Sequence, residues 1–541
     1  MNVGSNWKLA HVVGTGLMLT SLRASAAVPQ EWTRRLPSGS TLYSGLTGMV
    51  VDAEGHSFVV GNAGTSGNVD ILAARYAPDG ALVWSQTWDG VERWHDTVSD
   101  VALGPDGSVY AVGSTPDRNR YADLLVLKFN AADGALIWSR TFNGGPGISD
   151  AALVVATDRD GNVYAGGHTV GDGADCLIVK FDADGVFHWS QTWDGPASAP
   201  YSQEAVRDLL VAPDGDLVML TDGVMATLHP DYVVIKYDAA DGSMIWSRNW
   251  GVNGGDYPVD MEIDAAGDVY VTGDALNNGS VEYGTIKLRG SDGALLWAEY
   301  DAAGFREAAY ALALDAEGGV YVTGWSDPHG DQSKFMHNLF TVKRDAATGS
   351  RWWTHEYGEA CLWCYDAGGD LVIDDSGHVF VGGITSSPPY ASDQIMLVLD
   401  AATGAELDRG IVWTTGSESA GVNVARLDRA QNLYLGGSVT NYDTGAVDVH
   451  VVKYASMSEG PDCGAIRKFS ARCRDGKLTA KVVSSLPEGT ELTLLRNGGD
   501  AKTVAINARG KGKAKWSGQG GSQTLRIEEC PEVPEASTTC S

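Results

Sequence analysis

A glycine-centred turn followed by a short apolar strand recurs eight times along the 541-residue chain, and no other feature restricts the fold as tightly. One copy reads Asp106-Gly107-Ser108-Val109-Tyr110-Ala111-Val112-Gly113. The turn position falls at Gly55, Gly107, Gly161, Gly215, Gly267, Gly318, Gly377 and Gln431, a period of 51 to 59 residues. Each copy is followed by a strand such as Asp123-Leu124-Leu125-Val126-Leu127-Lys128-Phe129, then by a turn and a tryptophan strand such as Asp133-Gly134-Ala135-Leu136-Ile137-Trp138-Ser139. A fourth apolar run, 98–103 in the second unit, precedes the turn. Four short hairpin-connected strands cannot bury a hydrophobic face alone, and radial stacking of four-stranded sheets lets neighbours share one. The expectation is an all-β chain with an eight-bladed propeller of four-stranded blades over residues 27–455. An open solenoid fits less well, because its coils are generally shorter and lack three hairpin turns each.

The ends of the array sharpen this. The eighth unit stops at Val451-Val452-Lys453-Tyr454 without an outermost strand, whereas Gln30-Glu31-Trp32-Thr33-Arg34-Arg35 stands unclaimed before the first inner strand. The N-terminal strand is predicted to pair into the last blade and close the ring, removing an open sheet edge.

Composition narrows the setting. With 68 glycines against 18 prolines and 43% hydrophobic residues, the chain is neither collagen-like nor wholly disordered. A net charge of −30 opposes a nucleic-acid partner, which requires basic surface. Lys8, the apolar stretch 9–22 and Ala24-Ser25-Ala26 before Ala27 read as a secretory signal over residues 1–26. No later apolar stretch reaches the roughly 18 residues a membrane span needs, so none is expected. The destination is secreted, periplasmic or cell-surface, the chain is expected to be monomeric, and its seven cysteines should tend to pair.

The segments 131–138, 241–246 and 345–353 resemble the tryptophan-docking motif of quinoprotein-like (PQQ-like) propellers. Their preceding halves, such as Gly161-Asn162-Val163-Tyr164-Ala165-Gly166-Gly167, look like bacterial SBBP-type repeats. The resemblance implies that Trp84, Trp138, Trp189, Trp246, Trp297 and Trp353 pack between blades, with Trp32 serving the closing blade. Asp408 departs from the pattern in blade seven.

Eleven residues before the turn position stand Asp96, Asp150, Glu204, Asp256, Glu307 and Asp366, with Ser44 and Ala420 completing the set. These carboxylates are expected at one mouth of the channel. They form a candidate cation ring suited to calcium or magnesium, or alternatively brace loops within their own blades. A second acid opens the third strand at Asp70, Asp123, Asp175, Asp231, Glu282, Asp393 and Asp448, and reads as blade construction, an acid–base pair or a turn cap.

Non-repeated residues are better candidates for specific chemistry. His95, Tyr257, Arg306, Trp363 and Tyr365 form the candidate ligand-binding set, with Trp94 and Phe305 beside them, suited to a protein, peptide or glycan. Cys361 and Cys364 have C-x-x-C spacing, but Tyr365 replaces the histidine of a haem motif, and a local disulfide is expected. Cys176 reads as a small buried residue. No catalytic set is assigned, since Gly-x-Ser-x-Gly, His-Glu-x-x-His and a phosphate-binding loop are all absent.

From about Ser456 the period is lost. Residues 459–541 hold 13 Lys and Arg against 10 Asp and Glu, whereas residues 27–458 hold 24 against 59. Alternation at 477–483, 491–495 and 523–527 predicts a small β-sandwich or barrel over 456–541. Nested disulfides are expected, Cys473 with Cys530 and Cys463 with Cys540. The run 509–515, rich in lysine, suits an acidic partner, an anionic surface polymer or protection of an edge strand. The leading function is an exported, non-enzymatic binding or scaffolding propeller. The alternative is a quinoprotein-like or polysaccharide-acting exported enzyme.

Overall fold

The computed structural model describes residues 28–36, 45–65, 68–92, 94–171, 173–195, 204–224, 229–251, 254–277, 279–304, 306–327, 337–358, 364–387, 391–412, 418–457, 466–485, 491–497, 500–517, 520–527 and 533–540. Among these residues there are strands and no helix, hence no helix long and apolar enough to cross a membrane. Two compact units are present, Ala27–Glu459 and Gly460–Ser541.

The first unit is an eight-bladed propeller of antiparallel four-stranded sheets. Blade two runs outward through Thr97–Leu103, Val109–Pro116, Ala122–Phe129 and Leu136–Phe142. Each inner strand lies against the inner strand of the next blade, and Leu46–Val51 of blade one touches both Thr97–Leu103 and Glu418–Leu427 of blade eight, so the ring is complete. As expected, Gln30–Leu36 supplies the outer strand of blade eight, antiparallel to Val447–Tyr454 with Trp32 opposite Lys453.

The repeated turn explains its own glycine. At all eight turn positions φ is positive, from 78° at Gly107 to 94° at Gly215, with Gln431 at 64°. A Cβ strains that conformation, which is why glycine occupies seven of the eight. Gln431 tolerates it while its side-chain oxygen accepts the Asp375 amide at 3.0 Å. In blade three the Asp158 carboxylate accepts the amides of Asp160 and Asn162 at 3.0 and 2.9 Å, a hairpin cap.

Tryptophans seal the seams between blades. Trp138 Nε1 donates to the Ala183 carbonyl of the following blade at 3.1 Å, Trp246 to Gly290 at 3.0 Å, and Trp32 to Pro78 at 2.9 Å, the last joining blade eight to blade one. Beneath each indole lies a turn glycine. A Cβ on Gly134 would stand 2.6 Å from Trp84, so any larger residue would lift the ring out of the seam. Blade seven has Asp408 instead, and its carboxylate accepts the Val28 amide at 2.5 Å, so the segment leading to the closing strand clamps the seam that lacks an indole.

The second unit is a β-sandwich. A three-stranded sheet of Ile466–Arg474, Lys477–Ser484 and Lys511–Ser517 shares a core with a four-stranded sheet of Asp500–Ala505, Glu491–Arg496, Gly521–Ile527 and Ala536–Cys540. Leu478, Val482, Leu494, Trp516, Leu525 and Ile527 fill it. The disulfide joins Cys473 to Cys540, with Cα atoms 5.1 Å apart, and this corrects the nested pairing expected from sequence. Cys473 lies on an edge strand of one sheet and Cys540 on an edge strand of the other, so the bond ties the two layers directly. Cys463 and Cys530 lie outside the described residues.

Candidate functional site

Every inner strand is interrupted by a bulge near its start, as the register shifts between Val98 and Asp100, Pro258 and Asp260, and Gly368 and Asp370 show. A bulge leaves backbone amides without a ladder partner. In four blades an aspartate seven residues before the turn position meets that need: Asp100, Asp208, Asp260 and Asp370. Asp260 accepts its neighbour Met261 N at 3.0 Å and Leu312 N of the next blade at 2.6 Å. Asp100 reaches Val155 N at 2.9 Å, and Asp370 reaches Ala425 N at 2.8 Å, each again one blade onward. These carboxylates therefore staple inner strand to inner strand.

Two residues later along the same strands the repeat holds Val50, Ala102, Ala156, Leu210, Ala313 and Val372, but Glu262 in blade five and Arg426 in blade eight. Glu262 and Arg426 line a cavity of about 1070 Å³ together with Asp260, Asp370, Tyr310 and Asn423. Arg426 Nη1 donates to Asp370 at 2.9 Å. The side chains of Asp260, Glu262 and Asp370 are partly exposed to the cavity and otherwise packed among protein atoms. Burial pushes Glu262 up to about 7, with the charge of Asp260 adding to it and Arg426 opposing it. Asp100, Asp208 and Asp260 are likewise raised by burial, Asp208 further by the charge of Asp260. Five acids are thus linked electrostatically, and the Arg426 charge bears on four of them, Asp100, Asp260, Glu262 and Asp370. Such a channel concentrates cations and favours a guest that brings positive charge.

The six carboxylates of the candidate cation ring lie in the seams instead. All six are buried. Asp96 N donates to the Val69 carbonyl of the preceding blade at 2.8 Å, Glu204 N to Ala174 at 3.0 Å, and Asp256 N to Pro230 at 2.8 Å. Their side chains bind loop and strand groups: Asp96 accepts Gly90 N at 2.6 Å, Asp150 accepts Gly144 N at 2.6 Å, Asp256 accepts Leu276 N at 2.8 Å, and Asp366 accepts the Thr385 hydroxyl at 2.6 Å. Glu307 accepts Ala303 N at 3.0 Å, and burial raises it to about 7. The two recurring acids of the sequence converge here. Asp70, Asp89 and Asp96 offer oxygens within 4.8 Å of one another, as do Asp175, Asp194 and Glu204. Burial raises Asp70, Asp96 and Asp175.

The basic residue of the third strand pairs elsewhere. Lys128 meets Asp106 of the inner turn at 3.1 Å and also donates to Ala183 O of the next blade at 3.0 Å; Lys343 meets Asp315 at 3.2 Å.

At the entry to blade seven an aromatic cluster breaks the repeat. His337 stacks on Trp325 with centroids 3.8 Å apart and an interplanar angle of 9°, and lies 5.0 Å from Tyr365. Trp325 Nε1 donates to Tyr310 Oη at 3.0 Å, and the Tyr310 and Tyr365 hydroxyls are 3.3 Å apart. Burial lowers the His337 pKa, and the ring's Nδ1 has no hydrogen-bond partner among the described residues. The Arg306 charge bears on that ring, so the structure brings Arg306 and Tyr365 to one locale. Tyr257 is half-exposed at the start of blade five, and His95 is exposed in the loop before blade two. Cys364 is disulfide-bonded; Phe305, Cys361 and Trp363 lie outside the described residues. Cys176 is buried, donates to Thr221 Oγ1 at 3.2 Å, and is pushed up to about 12 by burial, which makes it a poor nucleophile.

Asp260, Glu262, Asp370 and Arg426 are not among the residues that the sequence alone singles out. The available signal was the substitution of Glu262 and Arg426 into a position otherwise held by small or aliphatic residues.

A family model described as outer membrane protein assembly factor BamB matches residues 65–221 and 125–407. Among solved structures, quinohemoprotein alcohol dehydrogenase ADHIIG from Pseudomonas putida HK5 is similar at 13% identity, covering 79% of this chain and 76% of that one with a TM-score of 0.46. The quinohemoprotein alcohol dehydrogenase from Comamonas testosteroni gives 13%, 80%, 76% and 0.46. Sqt1 from Chaetomium thermophilum gives 12%, 78%, 98% and 0.44. No curated protein matches the sequence.

Proposed function

The chain belongs to the propeller family described as outer membrane protein assembly factor BamB, and on that premise we propose that it is an exported, non-enzymatic binding or scaffolding propeller whose channel receives a basic segment of a protein partner. One observation carries the reading: Asp260, Glu262 and Asp370 line a cavity that Arg426 also lines, and the charges of Asp100 and Asp208 bear on this group. A lysine or arginine entering there would gain charge-assisted hydrogen bonds and lower the mutual repulsion of the acids. The Cys473–Cys540 disulfide supports an oxidising destination, and a leader over residues 1–26 would deliver the chain to it. Titration with lysine-rich, neutral and acidic peptides of equal length tests the proposal. Tightest binding of the lysine-rich peptide, weakened by salt, supports it; equal binding of all three, or none, overturns it.

The aromatic cluster favours a second reading, a quinoprotein-like or polysaccharide-acting exported enzyme. Neutral His337 beside the Tyr310–Tyr365 hydroxyl pair offers a proton acceptor next to proton donors. Turnover of an alcohol after reconstitution with quinone, or of an acidic polysaccharide, abolished by His337→Ala, would establish it.

A further inference from the structure

The outer face of the three-stranded sheet in the second unit carries charge of a single sign. In Ile466–Arg474 the side chains of Phe469, Ala471 and Cys473 pack on the core, which leaves Lys468, Arg472 and Arg474 on the opposite face. The same alternation in Lys477–Ser484 buries Leu478, Ala480 and Val482 and exposes Lys477 and Lys481. In Lys511–Ser517 it buries Ala514 and Trp516 and exposes Lys511, Lys513 and Lys515. Register sets these cations side by side, with Lys481 opposite Lys513 and Arg474 opposite Lys477. The other positions of the face are Ser470, Thr479, Val483 and Ser517, so no acid of these strands shares it. Asp475, in the hairpin turn, lies 3.7 Å from Arg474.

Like charges placed opposite each other destabilise a sheet. Protection of an edge does not account for them, since Lys477–Ser484 is the central strand and has no open edge, yet carries two. The arrangement therefore costs stability that a bound anion would return. Three features identify the anion. Lys511, Lys513 and Lys515 stand in a row at about 6.8 Å intervals, and Lys477 and Lys481 stand about 13.6 Å apart in the neighbouring row about 4.8 Å away, a pattern that follows a linear polymer. No aromatic side chain lies on the face to stack a nucleobase. Among the described residues of this unit no large apolar side chain is exposed to enter a bilayer.

We propose that this lysine-rich β face binds a linear acidic polysaccharide. In the full-length chain, whose net charge is −30, non-specific attraction to a polyanion is opposed, so binding would report the local face. Polygalacturonate is the probe, followed by calorimetry and by melting. Wild type should bind it, lose affinity by roughly a thousandfold between 50 and 200 mM salt, and melt higher in its presence. Lys511→Gln with Lys513→Gln and Lys515→Gln should weaken binding about tenfold or more and flatten the salt dependence. Lys477→Gln with Lys481→Gln, on the central strand, does the same if the triple variant fails to fold. Absence of binding by wild type, unchanged affinity in a folded variant, or preference for single-stranded polynucleotide or for vesicles of anionic phospholipid over polygalacturonate overturns the proposal.

Discussion

Asp256 and Asp260 are four residues apart in one stretch of chain, yet the first is sealed between blades four and five and the second faces the channel. The sealed set recurs in six of eight blades, and its members accept hydrogen bonds from backbone amides and a hydroxyl. The channel set occupies four blades, and its balance is altered in two places, by Glu262 and by Arg426. Repetition marks what holds the ring together, and departure from repetition marks where a guest is selected.

The largest expected effect separates both sets from an acid with a full ionic partner. Asp301, wholly buried, receives Arg344 Nε at 2.8 Å; Asp301→Ala should cost about 3–5 kcal/mol in denaturant unfolding, because it strands a buried guanidinium. Next comes the seam set. Asp150→Ala leaves Gly144 N unpaired and should cost about 1–3 kcal/mol while leaving affinity for the lysine-rich peptide unchanged. A change in that affinity would break the distinction between seam and channel. Asp260→Asn combined with Asp370→Asn should weaken peptide binding about tenfold, or about 1.4 kcal/mol, by titration calorimetry. Undiminished binding would remove the channel from the function.

A smaller effect concerns pH. The Glu262 carboxyl is raised by burial to about 7, so the folded state holds a proton that the unfolded chain releases near pH 4. Stability from this group is present at low pH and is lost as pH rises through about 7. The melting temperature of wild type should therefore fall relative to that of Glu262→Gln between pH 5 and 8. A parallel pH profile for the two proteins would contradict the burial argument. The smallest expected response is to a chelator. With backbone amides and a hydroxyl already serving the seam carboxylates, the melt should be unchanged. A chelator-sensitive melt abolished by Asp70→Asn with Asp96→Asn would instead make the cluster of Asp70, Asp89 and Asp96 a cation site.

The blades were legible because each repeated residue meets a local demand that repeats with it. Gly107 needs a positive φ, and Gly134 needs room for the Trp84 ring. The closing strand was legible by counting, since Trp32 was an outer-strand residue without a blade. The channel acids were not, because their orientation depends on a bulge that no residue type announces: Asp100 and Asp96 differ in sequence only by an offset of four. The aromatic cluster was half visible. Tyr365 and Arg306 stood out as unrepeated residues, but the partnership of Trp325 with His337 depends on two chain segments meeting across blade six. The disulfide failed for a related reason, since nesting assumes that sequence order reflects layer order, and Cys540 returns to the opposite layer.

The latch on the ring has a further consequence. Ala455 N donates to Pro29 O at 2.9 Å, so the two ends of the propeller segment meet after one full circuit. Blades one to seven are each built from consecutive strands, whereas the eighth pairs strands separated by more than four hundred positions, the contact that carries the largest chain-closure entropy. The meeting of the ends also means that the circuit has no privileged starting point: joined there by a short linker and opened at another blade's outer turn, the same strands would close with a local contact in place of the distant one.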